Sequence, residues 1–261
     1  MLPSEPDSNP LDSQPLLILV CTYNERANIE RLLDAINRVV PDAHMLVIDD
    51  ASPDGTSELV SQLIVTKRFQ DRLTLRTRPG KNGLGSAIRD GLHFAMSGRY
   101  EFVVNLDADF SHAPEAIPSL VAAIRDRVDL VIGSRYIEGG KLVNCSWKRK
   151  FVSKLANVYA RSLLGWTIRD CSSAYRCYRV TMLRKLPWNQ IQCTGYGFLE
   201  EILWHTIHSV KTTDEAVSHP GSNVVESPIT YTERELGDSK ISFAEARGTM
   251  AVLQQLSKRR R

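Results

Sequence analysis

The chain has 261 residues, 43% hydrophobic and 24% charged, with 15 Gly and 12 Pro, a balance that excludes disordered, collagenous and low-complexity classes and predicts a folded globular protein. Its 33 Lys and Arg stand against 30 Asp and Glu, and a net charge of +3 is too small for a protein that works by neutralising nucleic-acid phosphates. Any basic function is local.

The five cysteines (Cys21, Cys145, Cys171, Cys177 and Cys193) include no C-x-x-C pair, so they indicate neither a disulfide framework nor a zinc site and fit a reducing compartment. Residues 1–14 are rich in Pro, Ser and Asp and read as a flexible lead-in, not as a signal peptide.

From Pro15 to about Ser134, short aliphatic runs alternate with segments of helical period, the pattern of βα units around a mainly parallel sheet. Strands are predicted over Leu16–Cys21, Met45–Asp49, Phe102–Leu106 and Leu130–Gly133, with Arg72–Arg76 as a weaker, peripheral fifth. Helices are predicted over Glu25–Val39, Thr56–Thr66, Gly85–Met96 and Pro114–Arg125. This half, residues 15–134, reads as a nucleotide-binding α/β unit. Residues 135–240 read as additions that build an acceptor side onto it, and 241–261 as a C-terminal helix ending in the basic run Lys258-Arg-Arg-Arg261.

Between Trp147 and Leu164, Phe151, Leu155 and Val158 recur at helical spacing next to Lys148, Arg149, Lys150 and Lys154. That pattern suits an interfacial helix, and equally an amphipathic helix packed on the sheet. No apolar run reaches the length of a transmembrane helix, so a cytoplasmic chain that meets a membrane only peripherally is expected.

In open α/β sheets the ligand sits beyond the carboxyl ends of the strands, and here those ends are polar. The first is followed by Thr22-Tyr23-Asn24-Glu25 and the second by Asp49-Asp50-Ala51-Ser52-Pro53-Asp54-Gly55-Thr56. Asp107-Ala108-Asp109 and Gly133-Ser134-Arg135-Tyr136 follow two others. Asp107 and Asp109 can clamp one hard cation, Mg²⁺ or Mn²⁺, together with phosphate oxygens; the alternative is a helix cap plus a solvated carboxylate. Two adjacent carboxylates at Asp49 and Asp50 need partners, and one of them is expected to reach a ligand. For Asp54 and Thr56, a turn and N-cap role competes with ligand contact. The basic loop from Arg78 through Lys81, Gly83 and Gly85 precedes a helix and suits an anion, or is simply solvated. The six histidines show no metal-ligand grouping and receive no catalytic role.

In order and spacing these motifs, with Trp147-Lys-Arg-Lys150 and Arg234-Glu-Leu-Gly-Asp-Ser-Lys240, resemble glycosyltransferase family 2 with its GT-A fold, and more narrowly the polyprenyl-phosphate and dolichyl-phosphate mannosyltransferases. The resemblance runs from about Leu16 to Ile241. It implies transfer of mannose from GDP-mannose to a polyprenyl monophosphate with inversion, and no nucleic-acid partner. It puts Thr22, Tyr23, Glu25, Asp50, Asp54, Gly83, Gly85 and Ala108 around the nucleotide sugar, with Asp107 and Asp109 on the metal and its diphosphate and Glu201 on the sugar hydroxyls. Arg135, Ser146, Lys148, Arg149 and Ser173 are implied near the acceptor phosphate, and Arg234 and Lys240 close the site. A peripheral membrane surface is the further expected partner, with a membrane partner subunit as a second. Transfer from UDP-glucose to undecaprenyl phosphate, and a catalytically silent nucleotide-binding subunit, are the competing readings.

Overall fold

The computed structural model describes residues 15–125, 127–209, 223–233 and 243–259. The chain alternates strands and helices through β1 (Leu16–Thr22), α1 (Arg26–Val39), β2 (His44–Asp49), α2 (Thr56–Val65), β3 (Leu73–Thr77), α3 (Leu84–Ser97) and β4 (Phe102–Asp107). There follow α4 (Ile117–Ala122), β5 (Leu130–Ser134), β6 (Lys141–Val143), α5 (Trp147–Leu164), β7 (Arg176–Arg179) and α6 (Val180–Leu183). The last elements are α7 (Phe198–Ser209), β8 (Val224–Pro228), β9 (Thr230–Thr232) and α8 (Phe243–Arg259).

Seven strands form one sheet in the order β3-β2-β1-β4-β7-β5-β8. Its first strands are apolar along their whole length because helices cover both faces: Leu17, Ile18, Leu19 and Val20 are all buried. One core cluster lies on each side. Leu17, Leu19 and Ile48 face α3 and α7, whereas Ile18, Val20 and Val47 face the Ile29, Leu32, Leu33 and Ile36 stripe of α1.

The strand predicted as peripheral is the edge strand β3. Pro114–Arg125, expected as a single helix, is a 3₁₀ turn over Pro114–Ala116 followed by the short α4, with Pro118 seated in the first turn of α4. Proline tolerates only the first turn of a helix, so it sets the start of α4 at this point.

β7 was not anticipated. It runs antiparallel between β4 and β5, with Val104 opposite Cys177 and Val131 opposite Cys177 on the other side. The segment after Ser134 therefore completes the same sheet. Its charged member Arg176 is wholly buried, and its guanidinium donates to the carbonyls of Ser173 (2.8 Å), Leu199 (2.7 Å) and Cys171 (2.6 Å). β6 and β9 form a separate parallel ribbon past the end of the main sheet.

After β3 the chain returns to the opposite side of β1 to form β4, so the strand order reverses there and a crevice opens at the carboxyl ends. Register brings those ends level: Thr22 pairs with Asp49, Asp49 with Thr77, and Cys21 with Asp107. Four strand ends that are far apart in the chain thereby meet at one crevice.

Candidate active site

Of the two acidic residues after β2, Asp49 is taken up by structure. Its carboxylate accepts from the hydroxyls of Thr22 (2.8 Å), Ser52 (2.5 Å) and Ser57 (2.7 Å) and from the Ser52 N–H (2.8 Å). Asp50, also buried, instead makes an ion pair with Arg78, whose Nη1 lies 3.0 Å from Asp50 Oδ1. Burial pushes the Asp50 carboxyl up, against the Arg78 guanidinium, which draws it down.

Asp54 caps. It accepts from the N–H groups of Arg26 and Thr56 and from the Thr56 hydroxyl (2.5 Å), and these bonds outweigh partial burial to hold its carboxyl below the usual range. Glu25 is buried and accepts from the Asn28 amide, while its own N–H donates to Thr56 Oγ1. Tyr23 remains at the rim with the Lys81 ammonium 4.5 Å from its ring centroid. Asn24, Ala51 and Phe110 all hold positive φ in the loops around the crevice, where strained backbone tends to gather at functional sites.

Gly83 and Gly85 are required for close packing. A Cβ on Gly83, whose φ is +92°, would sit 2.5 Å from the Thr194 carbonyl, and one on Gly85 would sit 2.4 Å from the Gly195 carbonyl. The 194–198 segment thus lies directly against the start of α3. Glu201 holds the two residues that lead into that segment, accepting from the N–H groups of Gln192 (3.0 Å) and Cys193 (2.7 Å).

Asp107 has a carboxylate that is 34% exposed, Ala108 between the pair is buried, and Asp109 is buried with Oδ1 accepting from the Ser111 N–H. The Ser111 hydroxyl next to it is buried and makes no hydrogen bond. Two carboxylates and an orphaned hydroxyl are hard oxygen donors, the class that Mg²⁺ and Mn²⁺ take, usually with water and substrate phosphate completing the shell. Among the described residues there is no cluster of three or more His, Cys, Asp or Glu side chains that could hold a metal.

His112, given no role from sequence, lies under this pair. Its Nδ1 accepts from the Asp107 N–H at 3.2 Å and lies 3.6 Å from Asp107 Oδ2. The ring stacks on Tyr175 at 4.9 Å and meets Tyr231 edge-on at 5.6 Å.

On the other side of Tyr231 stand two guanidiniums. Arg135 is bound bidentately to the wholly buried Asp170, with Nε and Nη2 each at 2.7 Å, and also donates to Ser172. Arg149 pairs with Glu233 at 2.6 Å and donates to the Tyr231 hydroxyl at 3.0 Å. Ser146 is the N-cap of α5, accepting from the Arg149 N–H, and Lys148 is exposed beside Trp147. Ser173 is buried behind this group with its hydroxyl unpaired. The structure therefore brings together Asp107, Asp109, Arg135 and Arg149 through Tyr231 and His112. Arg234 and Lys240 lie outside the described residues, as does the lead-in 1–14. Tyr231 left no motif of its own in the sequence; for His112 the signal was its place three residues after Asp109, and for Asp170 its place three residues before Ser173.

Residues 17–187 match the family described as glycosyl transferase family 2. The chain belongs to that family. It is 40% identical over 238 residues to the polyprenol monophosphomannose synthase of Mycolicibacterium smegmatis, covering 91% of this chain and 85% of the relative. It is 38% identical to the undecaprenyl-phosphate mannosyltransferase of Micrococcus luteus, covering 87% of each. With the dolichol-phosphate mannosyltransferase of Pyrococcus furiosus it shares 34% identity over 86% of this chain and 58% of the longer relative. The fold of this glycosyltransferase is similar to that of the glucosyl-3-phosphoglycerate synthase of Mycobacterium tuberculosis, solved with Mn²⁺, UDP and glucosyl-3-phosphoglycerate: TM-score 0.65, 19% identity, 94% of this chain and 81% of that one. The GT-A architecture read from the strand-end motifs is thus the observed one.

Behind the site, burial lifts the Glu200 carboxyl to about 7 despite the pull of Arg176. The folded chain keeps a proton here that the unfolded chain releases near its ordinary 4.5, so the contribution of Glu200 to stability falls as pH rises from about 4.5 to about 7 and is level above. The loss is on the order of 3 kcal/mol. Because His205, whose pKa burial lowers to about 4, titrates over the same window with the opposite sign, the readout is a difference: the urea midpoint of Glu200→Gln, which cannot ionise, is expected to gain steadily on that of the parent chain as pH rises from about 4.5 to about 7.

Proposed function

We propose that this glycosyltransferase moves mannose from GDP-mannose to a polyprenyl, dolichyl-type monophosphate, giving a β-linked polyprenyl-phosphate mannose with inversion. The observation that carries the reading is the similarity, over about nine-tenths of the chain, to relatives named for making polyprenyl-phosphate mannose. The site chemistry supports it. A phosphomonoester is already an anion at neutral pH, so the acceptor needs no general base, and what the protein must supply is positive charge at the right distance. Arg135 and Arg149 supply it on the acceptor side. Asp107 and Asp109 would hold Mg²⁺ or Mn²⁺ on the donor side, where a bound divalent ion offsets charge on the departing diphosphate. Thr22, Tyr23, Glu25, Asp50 and Asp54 line the nucleotide end.

The acceptor tail needs an apolar surface, and α5 offers one. Its far half is anchored through Asn157, Ala160 and Leu164, while Trp147 (73% exposed), Phe151 (63%) and Leu155 (57%) face outward beside Lys148, Lys150 and Lys154. Apolar side chains flanked by cations suit the interface of an anionic bilayer, so peripheral docking through α5 belongs to the same proposal. No helix among the described residues is long and apolar enough to cross a membrane.

The deciding assay follows radiolabelled sugar from GDP-mannose, and separately from UDP-glucose, into short-chain polyprenyl phosphate with and without Mg²⁺ or Mn²⁺. Metal-dependent mannolipid is the expected product. Label from UDP-glucose alone would overturn the donor, and an enzyme-bound mannosyl adduct after rapid quenching would overturn single-step inversion.

A further inference from the structure

Arg135 and Arg149, the two arginines of the proposed acceptor side, each have a carboxylate of their own, Asp170 and Glu233, and nothing in their local sequence sets the distance between them. The residue between them is Tyr231. Their guanidinium carbons lie 5.4 Å and 5.9 Å from its ring centroid, and Arg149 also donates to its hydroxyl at 3.0 Å. The electron-rich face of an aromatic ring attracts a guanidinium placed over it. Tyr231 is itself 7% exposed and held in a narrow frame. On one side β9 pairs with β6, the strand leading to the loop before α5, with Leu142 opposite Tyr231. On the other, Tyr231 bridges to His112 and the Thr232 N–H donates to the Ser111 carbonyl at 3.1 Å, which ties β9 to the turn that follows Asp107 and Asp109.

We infer that Tyr231 is a positioning residue that sets the two acceptor-side arginines at a fixed distance from the Asp107–Asp109 pair, with His112 as the link beneath Asp107. The inference rests on the reading of Arg135 and Arg149 as acceptor-phosphate groups. The phenol touches neither substrate. It acts by holding Arg149 through its hydroxyl and both guanidiniums through its ring, while its strand is fastened to the backbone next to the acidic pair. A shift of the ring therefore moves the acceptor phosphate relative to the donor, and misplacement of about an ångström between reacting groups is costly in rate.

The test uses farnesyl phosphate, a short prenyl monophosphate, titrated calorimetrically into the full chain and then varied in the mannosyl-transfer assay. Tyr231→Leu is expected to weaken farnesyl phosphate binding about tenfold and to raise its KM in parallel, while KM for GDP-mannose stays within about twofold. Tyr231→Phe keeps the ring and recovers most of the affinity. Its residual loss, about twofold to threefold for the net worth of one hydrogen bond, is expected to vanish in an Arg149→Ala background. That cycle decides the matter even where Tyr231→Leu fails to fold. Unchanged affinity in a folded Tyr231→Leu, equal losses for Leu and Phe, or a Phe effect that persists without Arg149 would each overturn the inference. If the parent chain binds farnesyl phosphate and transfers no sugar, the proposed function fails while the binding cycle still decides the role of Tyr231.

Discussion

Asp109→Asn is expected to lower the rate of sugar transfer by about a thousandfold, or roughly 4 kcal/mol of transition-state stabilisation, with little change in thermal midpoint. The asparagine keeps the size of the side chain and an oxygen that accepts the Ser111 N–H bond, so the turn after β4 survives. What it removes is the negative charge of the buried member of the pair. Asp107 alone, one-third exposed, is a poor hold for a divalent ion. Initial rates at saturating acceptor and increasing Mn²⁺ measure the effect. A variant within tenfold of the parent would mean that the acidic pair does not bear the charge of the diphosphate.

The second large effect is on stability. Asp170→Ala removes both 2.7 Å bonds to Arg135 and also its bond to the Arg135 N–H, leaving a mostly buried guanidinium without its counter-charge. Breaking one partner out of a buried ion pair costs about 3–5 kcal/mol. In a chain of this length that corresponds to a fall of about 10 °C in Tm, read by calorimetry or circular dichroism. The double variant Arg135→Met with Asp170→Leu is expected to regain most of the lost stability, because no charge is then left buried. It should remain inactive. Recovery of transfer in that double variant would show that Arg135 serves the fold alone.

Much of the molecule was legible in the sequence because parallel strands buried on both faces must be apolar runs. Leu16–Cys21, Met45–Asp49, Phe102–Leu106 and Leu130–Gly133 appear within a residue or two of their predicted limits. The polar residues just beyond them were legible for the complementary reason: a carboxylate at the end of a buried strand needs a partner or a ligand. Asp107 and Asp109 stood out in this way, and so did Asp49 and Asp50, although which of those two is held by the fold could not be read. Thr22, Ser52 and Ser57 decide that by saturating Asp49, and they meet it only once β1, β2 and α2 have packed.

Sequence by itself determined the α/β class, the switch from aliphatic runs to polar strand ends, and the family. Those properties depend on local composition and on order along the chain. Tertiary structure alone decided that β7 enters the sheet between β4 and β5, that Gly83 and Gly85 are there to admit the 194–198 backbone, and that Arg135 is bound to Asp170. It alone decided that His112 and Tyr231 meet between the acidic pair and the two arginines. Such contacts join segments with no shared period and no fixed spacing, and they arise from how whole elements pack, which no short stretch of sequence encodes.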